Sequence, residues 1–363
     1  MLHIERIDGE LNALAGEWDA LVDPLHPGAA FRSPAWLLTW WDSYRDGRRP
    51  LVLTAREAGR LVGVLPLYVE RGPLRVRRAR LMGDVQVGSD YLGVIARPAD
   101  APRVAQAMAD ALREFDELHL EGLCPDDALA RAIGGAHPKD RCPHVRIEGS
   151  VADYFAARPD GTATQLARRR KWLEKQNGYR IDRLETLRQI REGMDILMAL
   201  HRARWAIDPV GSRTFESEHA ESFHRRAAEA LARRGWARIY VMHADGAPRA
   251  ALYGFRHGDR LAYYQAGHDP EWRQRAVGTV LFGHIIEDCF REGLREFDLL
   301  RGDEAYKQRW ANGERWTVRL RARGPGLRPW LGEQGRAAWA KLRHTGKRVL
   351  PPRAVQWWQR RYG

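Results

Sequence analysis

The stretch from Arg275 to Thr279 has the residue types and spacing to bind an anion. It lies between a predicted strand and a predicted helix, Gly278–Glu292. The free N–H groups and partial positive charge at a helix start can hold a pyrophosphate. Gly278 has no Cβ to keep phosphate oxygens away from the backbone, and Arg275 adds a fixed cation. The predicted anion-binding residues are Arg275, Ala276, Val277, Gly278 and Thr279.

Groups that can move a proton follow a predicted strand, Glu296–Leu300. Tyr306, early in a short predicted helix, can donate a proton to a leaving group, or it can be a packing tyrosine. Glu304 can accept a proton directly or through water, or can pair with Lys307 one helical step away. Lys307 is also a candidate for holding a substrate carboxylate or phosphate.

Other candidates are spread along the chain. His268 precedes the anion loop and can titrate near neutrality, although a lone loop histidine is more often a surface residue. Arg204 and Trp205 can clamp a sugar or a carboxylate, or can have a structural role. Asp90 and Tyr91 are candidates for acceptor ligands or for the wall of a cleft. Asp298 is a candidate for a base or for a contact with the substrate.

The elements that must position these residues alternate between strands and helices, which predicts an α/β chain. In the N-terminal half, alternation and turn signals predict strands at 3–7, 51–56, 61–69, 80–82, 92–95 and 118–120, with helices at 11–22, from Ser33-Pro34 and at 101–115. Residues 124–150 have no clear periodicity. In the C-terminal half, the pattern predicts a basic helix at 164–176, helices at 187–205 and 215–234, and strands at 179–184, 237–243, 248–256 and 260–266.

The two halves repeat one plan. Residues 56–67 and 243–254 each read as a strand, a tight turn and a strand carrying small residues. This similarity predicts a tandem duplication of one α/β unit. We therefore predict an N-terminal lobe at 1–155, a C-terminal lobe with the anion site at 156–325, and a basic tail at 326–363. The N-terminal lobe has no matching basic glycine loop and is expected to bind no cofactor.

Charge and composition indicate which partners, metal sites and cellular location are to be expected. The net charge of +13 is concentrated in residues 321–363, which hold eleven Lys and Arg and one acid. This tail can lie on anionic lipid, hold RNA or cover the protein's own surface. Three cysteines without CxxC spacing argue against a disulfide framework or a zinc site, and no metal is predicted. The start lacks the pattern of a secretory signal, so we expect a cytoplasmic protein, with the tail as a potential contact to the inner membrane face.

The meander, basic glycine loop, helix and strand of the C-terminal half resemble the GNAT acetyltransferase unit. In that unit a Gln/Arg-x-x-Gly-x-Gly/Ala loop holds the pyrophosphate of coenzyme A. Arg275 and Gly278 match it, whereas Val280 stands where Gly or Ala is usual. Four further segments resemble acetyltransferases of the CelD/BcsL type, in the order of that family: Phe31 to Trp41, Ser89 to Val94, His201 to Trp205 and Phe297 to Trp310.

The resemblance implies two tandem GNAT-like lobes, similar to the Fem peptidyltransferases, and links the chain to cellulose and other exopolysaccharide pathways. It also implies acetyl-CoA or another acyl-CoA as co-substrate, with Tyr306 protonating the leaving thiolate and the acceptor in the cleft between the lobes. Two alternatives stay open. One is an aminoacyl-tRNA-dependent transferase that grips tRNA with the basic helix and the tail, and the other is a non-catalytic scaffold of polysaccharide assembly.

Overall fold

The computed structural model describes residues 1–72, 75–84, 86–158, 161–206, 214–215 and 217–324, and of Trp205 only the backbone. The predicted basic tail, 326–363, lies outside the described residues. The N-terminal half contains β1 (Leu2–Ile7), α1 (Ala15–Asp19), α2 (Ala29–Arg32), α3 (Pro34–Tyr44), β2 (Arg49–Glu57), β3 (Arg60–Arg71), β4 (Arg77–Leu81), β5 (Ile95–Ala96), α4 (Ala101–Leu112), β6 (Glu117–Leu123), α5 (Ala128–Ile133) and β7 (Ala136–Arg146).

The C-terminal half repeats this order after two short helices. It contains α6 (Val151–Ala156), α7 (Thr162–Leu173), β8 (Arg180–Leu184), α8 (Leu187–Ala206), α9 (Glu218–Arg233), β9 (Ala237–Ala244), β10 (Ala247–His257), β11 (Arg260–His268), α10 (Val277–Arg291), β12 (Glu296–Asp298), α11 (Ala305–Trp310) and β13 (Gly313–Arg323). Short 3₁₀ helices cover Leu11–Leu14 and Pro270–Arg275.

In the described part of the chain, the strands form one mixed sheet in the order β1-β2-β3-β4-β6-β13-β7-β12-β11-β10-β9-β8, and β5 pairs with β3. Each half supplies an antiparallel meander whose last strand pairs in parallel with the next: β4 with β6, and β11 with β12. This arrangement confirms the predicted α/β fold class.

The halves exchange a strand at the centre of the sheet. β7 follows β6 in the chain but pairs with β12, and β13 follows β12 but pairs with β6. β7 and β13 also pair with each other. The sheet is therefore continuous across residue 155, and the predicted division into lobes at that point stays a prediction about domains.

Matching turns support the repeated plan. Ala58 and Gly59 join β2 to β3 with φ values of 48° and 79°, and Asp245 and Gly246 join β9 to β10 with φ values of 50° and 70°. Positive φ at both central residues is the geometry of a type I′ turn, which suits the twist of a two-residue hairpin. The same local chemistry thus forms the equivalent hairpin in each half.

Aromatic residues join the two halves above the sheet. Trp36 of α3 is fully buried and makes edge contacts with Phe223, Phe255 and Tyr264, with ring centroids 5.1, 5.5 and 5.4 Å away. Its indole N–H donates to Ser89 Oγ at 2.9 Å. Such pairs add to the stabilisation that burial provides, so this cluster fixes one half against the other.

Two segments contain regular structure that their sequence patterns do not indicate. Residues 124–150 have no clear periodicity, yet they contain α5 and the central strand β7. The segment 321–363, in which most of the net charge lies, begins inside β13, which includes Arg321 and Arg323. No helix of the described residues is long and apolar enough to cross a membrane.

Candidate active site

Two cavities open where β11 and β12 separate. These parallel strands pair only from Arg260 to Ala262 and from Glu296 to Asp298, and then diverge. A cavity of about 380 Å³, here called the interlobe cavity, lies in the gap and reaches Gln86 and Asp90 of the N-terminal half. A second cavity of about 220 Å³, here called the helix cavity, extends from the gap to the start of α10.

The equivalent gap in the N-terminal half is filled. β4 and β6 pair from Arg78 to Arg80 and then also diverge. Leu92 enters this gap, where its N–H donates to Gly122 O at 2.8 Å and its carbonyl accepts from Cys124 N at 3.0 Å. The duplicated plan therefore leaves an open gap beside α10, whereas the chain itself closes the gap beside α4.

The start of α10 forms one end of the helix cavity. Gly278 and Thr279 line it, and a Cβ built on Gly278 would have no heavy atom within 4 Å. Ala276 is the N-cap residue, with φ +54°, and Val277 is fully buried in the core. The first N–H groups of a helix have no acceptor within the helix, so this end of the cavity can receive an anion.

Arg275 lies beside this opening, outside the residues that line the two cavities. Its side chain is exposed, and its guanidinium carbon lies 4.1 Å from the centre of the Trp172 ring on α7. Arg169 of α7 donates to Gln274 O at 2.8 Å. The predicted basic helix therefore supports the anion loop, and Arg275 stands as a fixed cation near the first turn of α10.

A β-bulge shapes the wall that the cavities share. The register of β10 and β11 shifts between Tyr253 and Gly254, so that Tyr264 of β11 has no direct partner. Bulges re-aim side chains and are frequent beside active sites. Here two consecutive tyrosines, Tyr263 and Tyr264, both line the interlobe cavity, and Tyr264 donates to Val87 O at 2.7 Å.

Tyr306 lies where the two cavities meet. It lines both of them, as does Tyr263, and its hydroxyl donates to the Tyr263 hydroxyl at 3.1 Å. Burial raises the pKa of Tyr306, and the neighbouring Tyr263 raises it further. The Tyr306 hydroxyl therefore stays protonated at neutral pH, as a general acid must before it donates.

Glu304 and Lys307 stand on the interlobe side. Their ion pair is 3.1 Å long, and Lys307 Nζ also donates to Arg301 O at 2.6 Å. The Lys307 side chain is 5% exposed and that of Glu304 is 53% exposed, so the carboxylate is the accessible partner. Both predicted roles of Glu304, as a proton acceptor and as the partner of Lys307, are compatible with this geometry.

His268 lies on the helix-cavity side, apart from Glu304. Burial, together with the nearby cations Arg204 and Arg273, lowers its pKa to about 4. The imidazole is therefore neutral at pH 7 but is a weak base. Arg204 lines both cavities. The side chain of Trp205 lies outside the described residues.

Asp90 is fully buried and is hydrogen-bonded to the C-terminal half. Its side chain is 0% exposed, and it accepts from Arg301 Nε at 2.5 Å and from Arg301 N at 2.9 Å.

Tyr91 and Asp298 are buried behind the cavities, where the Tyr91 hydroxyl donates to Asp298 Oδ1 at 3.2 Å. Burial raises the pKa of Asp298 to about 6. The structure thus brings Tyr306, Glu304, Lys307, Arg204 and Asp90 to one cavity, but not Tyr91 or Asp298.

Three residues of this site were missed in the sequence. They are Tyr263, the partner of Tyr306, Tyr264 at the bulge and Arg301, the partner of Asp90. Each lies inside a segment for which the sequence predicts an element or a resemblance, but neither a bulge nor a contact over 211 positions leaves a local pattern. Within the described ranges, no group of His, Cys, Asp and Glu could hold a metal ion.

Residues 161–308 match the family model described as an acetyltransferase (GNAT) domain. This part of the C-terminal half is therefore similar to a GNAT-type acetyltransferase domain, and its described residues include β11, α10, Glu304 and Tyr306. No curated protein matches the sequence significantly.

The fold is similar to that of several solved structures. FemX has 13% identity and a TM-score of 0.58, over 87% of this chain and 96% of that one. The C-terminal domain of a putative lysylphosphatidylglycerol synthetase from Agrobacterium fabrum has 13% identity and a TM-score of 0.55, over 92% and 96%. A conserved protein of unknown function from Bacteroides thetaiotaomicron has 13% identity and a TM-score of 0.53, over 88% and 100%. At this identity the likeness concerns the fold, and it agrees with the predicted Fem-like arrangement.

Proposed function

We propose that the chain is an acyltransferase that moves an acyl group, in the simplest case acetyl, from acyl-CoA to an amine or hydroxyl of a sugar or amino-acid-like acceptor. The observation that carries the proposal is the meeting of two cavities at Tyr306. One cavity leads to the start of α10, the predicted anion site, and the other opens between the halves. A donor and an acceptor that enter from different sides would meet at this hydroxyl.

The proposed reaction assigns one role to each group. The acceptor atom attacks the thioester carbonyl, and the bond between carbon and sulfur breaks. The leaving thiolate takes the proton of Tyr306, whose raised pKa keeps that proton in place until transfer. Glu304 takes the proton lost by the acceptor, directly or through water. His268 is the alternative base, although its low pKa and its place on the helix-cavity side favour Glu304.

The first experiment is a thermal-shift titration with acetyl-CoA, longer acyl-CoAs and free coenzyme A, run beside deacylated tRNA. A ligand at 100 times its dissociation constant should stabilise the protein by about 2.7 kcal/mol. Stabilisation by coenzyme A and its esters, without an effect of tRNA, supports the proposal. A protein that responds to no coenzyme A species contradicts it.

An aminoacyl-tRNA-dependent transferase is the second candidate. One observation favours it: Arg168, Lys171 and Lys175 are all exposed along α7 and the turn after it, beside the exposed Arg275. Binding of tRNA that weakens steeply with salt, and that is lost when these three α7-side cations are replaced by glutamate, would move this candidate to first place.

Membership of the CelD/BcsL type, with a role in exopolysaccharide synthesis, is part of the same proposal. We also propose that the basic tail makes a peripheral contact with the inner membrane face. This proposal is supported by the charge of residues 321–363, which hold eleven Lys and Arg and one acid. Co-sedimentation with vesicles containing phosphatidylglycerol should be lost in a chain that ends at Gly324.

A further inference from the structure

The loop from Leu299 to Gly302 joins β12 to the segment that carries Glu304 and Tyr306, and its backbone has an unusual shape. Leu300 has φ +54° and Gly302 has φ +132°. A leucine rarely adopts positive φ, so the surrounding contacts must hold it there. A Cβ on Gly302 would collide with the Glu304 carboxylate and would lie 2.7 Å from Lys307 Nζ. The loop shape therefore sets where these two side chains stand.

Most of the contacts that hold this loop come from the other half of the molecule. Three of its four backbone N–H groups donate to residues of the N-terminal half, and the fourth stays within its own half. The bonds are Leu299 N to Pro143 O at 3.0 Å, Arg301 N to Asp90 Oδ2 at 2.9 Å, Gly302 N to Arg141 O at 3.0 Å, and Leu300 N to Asp298 Oδ1 at 2.8 Å.

Asp90 makes the charged contact in this set. Its two carboxylate oxygens accept from the backbone and from the side chain of Arg301, and Arg301 also donates to Ser89 O. The carbonyl of Arg301 in turn accepts from Lys307 Nζ, which pairs with Glu304. Asp90 thus connects through Arg301 to the ion pair beside Tyr306.

We infer that Asp90 is a positioning residue, by which the N-terminal lobe holds the reacting loop of the C-terminal lobe in its active shape. This differs from the prediction that Asp90 binds the acceptor. Both Asp90 oxygens are already occupied by Arg301, and the carboxylate is fully buried. The inference rests on the proposed function only for its kinetic readout.

The variant Asp90→Asn tests the inference by separating kcat from KM. A positioning residue controls geometry in the transition state, and a displacement of about 1 Å can cost about 100-fold in rate. We expect kcat to fall about 10- to 100-fold, while the KM of the acceptor and the dissociation constant of acetyl-CoA change less than about threefold. An acceptor ligand would instead raise the KM of the acceptor with kcat retained, and that result would overturn the inference.

A matched variant separates positioning from stability. Asp84 is also a buried, ion-paired aspartate of the N-terminal half, bound to Arg80 at 2.9 Å. Asp84→Asn should lower the melting temperature and leave kcat unchanged. The double variant Asp90→Asn with Arg301→Gln should lose no more rate than the stronger single variant, since both changes break the same contact. Additive losses would overturn the inference.

Hydrogen exchange keeps the test independent of the reaction. In Asp90→Asn, amide exchange in a peptide spanning 299–310 should become faster, while exchange in α10 stays at the wild-type rate. If the wild-type protein turns over no acyl-CoA, the proposed function fails, but faster exchange confined to 299–310 still supports the positioning role. Unchanged exchange in that peptide would overturn it.

Discussion

The variant Gly278→Ala should keep or raise the stability of the free protein while it weakens the binding of acetyl-CoA. A Cβ at this position meets no heavy atom within 4 Å, and the residue is not among those with positive φ. Gly278→Ala therefore creates no clash and reduces the freedom of the unfolded chain. We expect the free energy of unfolding to stay the same or to rise by up to about 1 kcal/mol.

The same methyl group would stand where a phosphate must approach the first turn of α10. Loss of one hydrogen bond to a charged group costs about 1.5–3 kcal/mol, which corresponds to about 10- to 150-fold in the dissociation constant. At a concentration of acetyl-CoA that is 100 times the wild-type dissociation constant, the ligand adds about 2.7 kcal/mol to the stability of the wild type. With a dissociation constant raised 100-fold, it adds only about 0.4 kcal/mol.

The assay is chemical or thermal unfolding of each variant with and without acetyl-CoA. Gly16→Ala is the matched control, because Gly16 lies in the helix α1 of the other half and its Cβ also meets nothing within 4 Å. The control should keep the full ligand effect. If Gly278→Ala also keeps it, with an unliganded stability like that of the wild type, the donor does not bind at the start of α10 and the reasoning is refuted.

Three further outcomes are expected. Tyr306→Phe should lower kcat by about 100- to 10,000-fold with little change in acetyl-CoA affinity. As a control, Tyr240→Phe loses a buried hydrogen bond to Asp288 and should lower only the melting temperature. If Tyr306→Phe has the same kcat as the wild type, Tyr306 takes no part in the reaction. Arg275→Glu should weaken acetyl-CoA binding at least about tenfold by titration calorimetry, and unchanged affinity would exclude that cation from the donor site. His224→Phe should make the protein more resistant to acid unfolding between pH 6.5 and 3, and an identical acid transition would contradict this.

The acid prediction follows from proton linkage. Burial lowers the pKa of His224 from 6.5 to about 3. Below pH 6.5 the unfolded chain binds a proton that the native state does not bind, so stability contributed above pH 6.5 is lost as the pH falls toward 3. At pH 5 the loss is at most about 2 kcal/mol. Phenylalanine has no such proton to bind, and it keeps the ring that contacts Phe223 and Phe215.

Local patterns predicted most elements but missed both exchanged strands. The hairpins and long helices were predicted within a few residues, because each buries a periodic face and carries its own turn or cap. β7 contains Pro138 and Pro143, and proline in a strand normally indicates an edge. The structure instead places β7 at the centre of the sheet, between β13 and β12. Its pairing partners lie far along the chain, so no local pattern could show that this segment is a strand.

The site was predictable to the extent that its residues lie on one continuous segment. The anion loop, Glu304, Tyr306 and Lys307 all follow from the strand–helix–strand order of the C-terminal half. Asp90 could be named because of the family resemblance, but its partner Arg301 could not, since the contact depends on how the halves are joined. Tyr91 and Asp298 have polar groups of the right type, yet they bind each other behind the cavity.

The N-terminal half has no open gap of its own, but its filled gap and its exchanged strand β7 both support the cavity of the C-terminal half. In the proposed duplication each half would begin with the same gap between diverging parallel strands. In the N-terminal half, Ser89 and Asp90 lie just before Leu92, which fills the gap, and both accept hydrogen bonds from Arg301 in the loop after β12. β7, exchanged into the other half, supplies Arg141 and Pro143 to the same loop. The filled gap and the exchanged strand therefore both contact the loop that leads to Tyr306. In this way the N-terminal half, whose own gap is closed, forms a wall of the cavity in the C-terminal half.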